Sequence, residues 1–299
     1  MPADAPMDLR TALGWFPEGR DAVRVAGPDA IEYLQGQLSQ DIGALAVGSS
    51  ARSFVLQPTG KVDAWVRVTR NAADEAVLDV DGGHGDALMA RLRRFLLRTK
   101  ADVDPLDWRA VALRGPAAAA AVPAVTGEDG LVVPAGWPGV DGVDLVGPAV
   151  EPPPGIPQAD RSAYESLRIR SGVPRMGAEL TEATTPAEAG HWVIAASVSF
   201  TKGCFTGQEL VARIDSRGGH VARHLRGLVV GAGELPPVGA PVVVDGAEVG
   251  KVTSVARGPG TDHGVGLAYV RRGVTPPATA EVRYGGGALP VTVVDLPMA

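Results

Sequence analysis

The chain has 299 residues, 45% hydrophobic and 21% charged, which describes a soluble globular protein with room for two or three domains. Its 28 basic and 34 acidic residues leave a net charge of −6, which argues against broad non-specific adhesion to nucleic acid or anionic membrane. A single cysteine excludes an intrachain disulfide and a self-contained multi-cysteine zinc or iron–sulfur site, and no apolar run approaches the roughly 20 residues that cross a bilayer.

The opening MPADAPMDLRTALG is acidic and rich in Pro and Ala. It lacks the basic start and apolar core of a signal peptide, so a cytoplasmic location is expected. Ala22-Val23-Arg24-Val25 alternates as a strand does. After Gly27-Pro28-Asp29, residues Ala30, Ile31, Tyr33, Leu34 and Leu38 recur at helical spacing, predicting strand, turn and a helix capped near Asp29. SFVLQPTGKVDAWVRVTR reads as a hairpin around Pro58-Thr59-Gly60, and Ala76–Val80 as a further strand. GDALMARLRRFLLRTK then has the pattern of a basic amphipathic helix. RAVALRGP and the alanine run after it read as strand into helix.

Pro134 to Gln158 is dense in Pro and Gly and reads as loops around one short strand, Val143–Val146. RSAYESLRIRSG has a helix pattern that stops at Gly172, with Pro174 just beyond. From about Leu225 the chain becomes short β-branched runs punctuated by Gly and Pro, the pattern of a small barrel or sandwich. This divides it into an α+β body, 1–225, and a β-barrel unit, 226–299.

The lone cysteine lies in FTKGCFTGQELVAR, Phe200 to Arg213. A free cysteine is commonly a small buried hydrophobe. Here Gly203 and Gly207 permit a tight turn, TGQELVARI predicts a helix after it, and Lys202 is placed to favour a thiolate. Cys204 with Lys202 is therefore the leading chemical candidate, with packing as the alternative.

GPDAIEYLQGQLSQDI, LQPTGKVDAW, RIRSGVPRMGAEL, TPAEAGHW, KGCFTGQE and VGKVTSVARGPG together resemble the YgfZ-type folate-binding proteins, which are similar to the T-protein (aminomethyltransferase) of the glycine cleavage system. The resemblance implies a three-domain α+β ring with a C-terminal small β-barrel, enclosing a channel for tetrahydrofolate. It also implies a role in assembling or repairing iron–sulfur enzymes, including those that modify tRNA.

On that resemblance the folate residues are Tyr164, Asp63 and Arg20. The chain departs from T-protein at three places. The paired aspartates become Asp63-Ala64, Val140 stands at the pterin-binding glutamate, and Tyr164 stands at the arginine. Valine offers no acceptor to a pterin edge, whereas tyrosine can stack on it, so folate binding weaker than in T-protein is expected. Asp63 and Arg20 read equally as surface residues, and Trp192 reads first as core.

No metal site is expected: His191, His220 and His224 near Cys204 lack acidic partners at ligand spacing. Arg91, Arg94 and Arg98, with Arg213, Arg217, Arg223 and Arg226, read first as solvated faces, and otherwise as contacts to a folate tail or RNA phosphates. The leading reading is a tetrahydrofolate-binding accessory protein for iron–sulfur client enzymes, acting through Cys204 without turnover of its own. The alternatives are a folate-dependent aminomethyltransferase that keeps Asp63, and a tRNA-binding helper of modification enzymes.

Overall fold

The computed structural model describes residues 7–122, 130–216 and 218–298; Arg217 lies outside the described residues. Strands β1 (Gly14–Glu18) and β2 (Arg20–Ala26) lead into helix α1 (Ala30–Gln37). Asp29 caps this helix by position only. Its side chain accepts from the Lys100 backbone N–H instead, at 2.8 Å. Next come β3 (Ser50–Leu56), β4 (Val62–Ala72), β5 (Glu75–Asp81), α2 (Gly85–Arg93), β6 (Asp102–Leu106) and β7 (Arg109–Arg114). Helix α2 is shorter than the amphipathic pattern predicts, because the chain leaves the helix after Arg93 and turns through Arg98 at φ 62°.

The alanine run forms only a 3-10 turn, Ala119–Ala121. Within the Pro/Gly-rich stretch lies β9 (Gly142–Gly147), paired with β8 (Leu131–Pro134) just before it. Helix α3 (Arg161–Arg170) ends as expected at Gly172, whose φ is +69°. A 3-10 turn, Pro186–Ala189, and helices α4 (His191–Ser197) and α5 (Gln208–Ser216) complete the body. Six strands follow without a helix: β10 (Arg223–Val230), β11 (Pro241–Val244), β12 (Ala247–Arg257), β13 (Gly264–Arg271), β14 (Ala278–Tyr284) and β15 (Gly287–Val294).

These strands close into a barrel in the order β10-β13-β12-β11-β14-β15, while the body holds a five-stranded sheet, β3-β4-β5-β2-β6, and a four-stranded sheet, β1-β7-β9-β8. The expected α+β class with a C-terminal barrel is observed. Among the described residues no helix is long and apolar enough to cross a membrane.

Period-two alternation decides what each face of the five-stranded sheet carries. Val23, Val25, Ala64, Val66, Leu78 and Val80 bury against Leu34 of α1 and Leu88 and Leu92 of α2. The residues between them on the sequence, including Arg20, Arg52, Arg67, Asp79 and Asp81, fall on the opposite face and form its charged side. The barrel is fastened to the body through α3. Arg168 Nη2 donates to Ser254 Oγ at 2.8 Å, Ser254 donates to Glu179 at 2.6 Å, and Tyr269 donates to the Glu179 carbonyl at 3.0 Å. Ile169 packs among Leu225, Val265 and Leu267 beside that network.

Candidate functional site

Where the two body sheets meet, the centre of the molecule is charged. Arg67 forks onto Asp79 at 2.9 and 3.0 Å and reaches Asp144 at 2.5 Å, while Arg114 reaches the other oxygen of Asp144 at 2.7 Å. Arg20 is clamped between Asp79 and Asp81. Burial opposes the charge on Asp144, but Arg114 and Arg67 outweigh it and hold the carboxyl well below its usual range. Asp79 is held low in the same way, by Arg20 and Arg67 against its burial. The cavity enclosed here, of about 10 Å³, accommodates about one water molecule and no ring system.

The structure does not gather Tyr164, Asp63 and Arg20 around one open pocket. Arg20 borders the small charged cavity, fully committed to its carboxylates. Tyr164 is sealed in the body core at 0% exposure, its ring stacked on Phe16 at 4.4 Å and tilted against Trp137 at 5.3 Å. Its hydroxyl accepts from Arg114 at 3.3 Å, so the ring has no free face for a ligand. Val140 packs against the same core. Asp63 is the extra residue of a β-bulge, since Val55 pairs with Ala64 and Leu56 with Val62. A bulge re-aims its side chain, and Asp63 meets Arg91 of α2 at 3.0 Å instead of joining the charged centre.

The cysteine segment is built as the sequence predicts, with one change of role. Cys204 is exposed, on the turn before α5. Gly60 and Gly207 both have φ near +80°, and a Cβ on either would collide with the other's neighbourhood, so the β3–β4 turn and the start of α5 interlock through two glycines. Lys202 does not address the thiol. Its ammonium donates to the carbonyls of Gln35, Leu38 and Gln40 at 2.5, 2.7 and 2.9 Å, closing the C-terminal end of α1. Burial pushes its pKa down to about 8, partly offset by Asp41.

A cleft of about 550 Å³ opens between α4, α5, the start of the barrel and the C-terminal segment. Trp192, Ile194, Phe200, Leu210 and Ile214 give it apolar walls, and His224 and Arg226 add polar groups. Trp192 stands edge-on to Trp65 at 6.1 Å, and its indole Nε1–H is buried with no partner among the described residues. The cleft is of ligand size and has the Trp192 ring in its wall, which suits a flat heterocycle. The sequence reads Trp192 first as core, and it does pack, partly buried, against the body core while also lining the cleft; TPAEAGHW is the local signal for it. Burial lowers the pKa of His224 beneath its ordinary value, and among the described residues no His/Cys/Asp/Glu cluster forms a metal cage.

Comparison with known proteins agrees with this architecture. Residues 223–299 match the glycine cleavage T-protein C-terminal barrel domain. The aminomethyltransferase of Streptomyces avermitilis is 32% identical over 286 residues, covering 90% of this chain and 72% of that protein. That of Thermus thermophilus is 28% identical over 319 residues, covering 97% and 88%. In the crystal structure of glycine cleavage system aminomethyltransferase T from Bartonella henselae the same fold recurs, with a TM-score of 0.79 at 23% identity over 97% of this chain and 87% of that one.

Proposed function

The chain belongs to the aminomethyltransferase family, and from that premise we propose that it is a tetrahydrofolate-binding member that supports iron–sulfur client enzymes through Cys204. The observation that carries folate binding is the cleft of about 550 Å³ walled by Trp192, since the charged central cavity is too small for a pterin. Trp192, Ile194 and Leu210 would wall the ligand, and His224 would offer a ring nitrogen to its polar edge. Tetrahydrofolate, when bound, supplies a carrier for one-carbon units.

Support for binding without turnover comes from the residues that a transferase would use. Asp63 is held by Arg91, Val140 offers no acceptor, and Tyr164 is enclosed by aromatic neighbours. Cys204 is then the exposed thiol of the segment that resembles the YgfZ signature. A second reading, folate-dependent aminomethyl transfer, is favoured by the names of the relatives and by the retained Asp63; it requires Arg91 to release that carboxylate. The tRNA reading is weakened because Arg91, Arg223 and Arg226 are already paired with Asp63, Glu188 and Asp295.

One comparison separates the readings. A deletion strain is complemented with wild type, Cys204→Ser and Asp63→Asn, and iron–sulfur enzyme activities are measured beside formaldehyde-linked turnover of tetrahydrofolate by the purified proteins. The accessory reading expects loss of support in Cys204→Ser alone and no turnover in any. Turnover that Asp63→Asn abolishes establishes the transferase instead.

A further inference from the structure

The segment RLRRFLLRTK, Arg91 to Lys100, carries five cations and no acid, on a chain whose net charge is −6. Two of the five are engaged within the fold. Arg91 pairs with Asp63 at 3.0 Å, and Arg93 donates from Nε and Nη2 to the Val103 carbonyl at 3.0 and 2.5 Å. Lys100 has acids nearby, since Asp29 accepts from its backbone N–H and Asp102 follows two residues on. Arg94 and Arg98 are exposed, and among the described residues no carboxylate lies within ion-pair distance of either.

Two apolar side chains reach solvent beside them: Phe95 is 37% exposed and Leu97 86%. The core does not use Leu97, because Leu88 and Leu92 face the sheet and Leu96 packs beside them. Two turns fix this knuckle. Phe95 N donates to the Leu92 carbonyl at 3.0 Å and Thr99 N to that of Leu96 at 3.2 Å, with Arg98 at φ 62° inside the second turn. Gly or Asn is the ordinary residue for that conformation, so the chain keeps a cation where backbone preference opposes it.

The knuckle adjoins the cysteine segment. The Arg91 guanidinium lies 4.1 Å from the centre of the Phe95 ring and donates to Gln37 Oε1 at 3.1 Å. Gly36, next to Gln37, accepts from the Thr206 N–H at 3.1 Å, two residues past the exposed Cys204.

Charge and apolarity together select the occupant. Unpaired arginines suit carboxylates or phosphates. Leu97 offers nothing to a phosphate and gains only by burial against other apolar groups. One face of Phe95 is covered by Arg91, which obstructs stacking on a base. Helix α2 turns its apolar stripe to the sheet, which leaves no amphipathic face for a lipid surface.

We propose that the knuckle around Arg94, Phe95, Leu97 and Arg98 docks an acidic protein segment with apolar side chains, and that the bound segment leads toward Cys204. Its assignment to an iron–sulfur client rests on the function proposed above; the docking surface itself does not.

The test puts photoreactive p-benzoylphenylalanine in place of Leu97 in the full-length protein, with a control carrying it in place of Val229, exposed on the barrel. Both are irradiated in a lysate of the cells that make the protein, and adducts are mapped by mass spectrometry. The expected adducts are peptides rich in Asp and Glu with apolar neighbours, formed from the knuckle and not from the barrel. Adding Arg94→Glu and Arg98→Glu should cut their yield about tenfold or more, because like charges then meet. A synthetic peptide of the mapped sequence should bind wild type and Cys204→Ser equally, bind more weakly in high salt, and slow alkylation of Cys204. The docking surface is overturned by adducts with RNA or lipid alone, by none beyond the control, by peptides without excess acid, or by yields indifferent to charge reversal. An unchanged alkylation rate removes the path toward the thiol. Acidic peptides from proteins without iron–sulfur clusters support the surface and count against the client reading.

Discussion

The Lys202 ammonium lies 2.7 Å from the Leu38 carbonyl oxygen, and with Gln35 and Gln40 this fills all three of its donors. The lysine of the cysteine signature therefore acts as a tether between that segment and the end of α1. The backbone agrees, since Thr206 N donates to the Gly36 carbonyl at 3.1 Å and Ser199 N to that of Ser39 at 2.9 Å.

Lys202→Met should lower stability by about 1–3 kcal/mol, because three carbonyls lose their donor. Denaturant unfolding checks this. Alkylation of Cys204 in the folded protein should also quicken as the segment loosens, and its pH dependence should stay in place. A move of that profile to higher pH in the variant would return to Lys202 the electrostatic role that the sequence suggested.

The same lysine predicts a pH effect at the alkaline end. Its folded pKa, about 8, lies below the ordinary 10.5, so between these values the unfolded chain binds more protons than the folded one. The Lys202 contribution is then flat below about pH 8 and grows more favourable from there toward 10.5. Wild type should gain stability relative to Lys202→Met across that window. A difference that stays constant from pH 7 to 10 contradicts the burial of the ammonium.

Asp144 gives the opposite limb. Arg114 and Arg67 hold its carboxyl well below the usual 3.8, so its contribution is complete above that value and is lost as pH falls toward the folded pKa. Asp144→Asn should cost about 3–5 kcal/mol at neutral pH, because it leaves two buried arginines short of a partner. It should also flatten the stability loss of wild type below about pH 4. Urea titrations at pH 3 and pH 7 measure both effects.

Tyr164 separates packing from ligand contact. Enclosed by Phe16 and Trp137, it should cost about 3–5 kcal/mol of stability as Tyr164→Ala and about 1 kcal/mol as Tyr164→Phe, which loses only the contact with Arg114. Tetrahydrofolate affinity in Tyr164→Phe should be unchanged. A stable Tyr164→Ala that has lost only folate binding would place the ring in the ligand site after all.

The barrel, the hairpin at Gly60 and the helix stop at Gly172 were legible because local patterns specify them: β-branched runs, turn residues and a left-handed glycine. The four-stranded sheet was harder to read. β1 is five residues containing a proline, and β8 and β9 lie in a stretch whose Pro and Gly outweigh their short apolar runs. For the site, exposure of Cys204 was legible, but partners were not. Which carboxylate Arg20 meets, or which carbonyls Lys202 caps, depends on residues about 60 and 160 positions away. The bulge at Asp63 is a register fact with no local mark, and it alone turns that carboxylate toward Arg91. Alternation in VRVTR did carry a trace of the charged centre, because it puts Arg67 among buried neighbours where a lone arginine requires acids.

The most direct measurement for the account is calorimetric titration of tetrahydrofolate into wild type, Trp192→Leu and Arg20→Gln under anaerobic conditions. Saturable binding is expected in wild type, weakened by about 1–3 kcal/mol in Trp192→Leu, which loses the aromatic wall. Arg20→Gln, if folded, should bind nearly as wild type, because its cavity is too small for the ligand. Absence of saturable heat in wild type, or binding lost in Arg20→Gln and intact in Trp192→Leu, would contradict the assignment of the folate site to the Trp192 cleft.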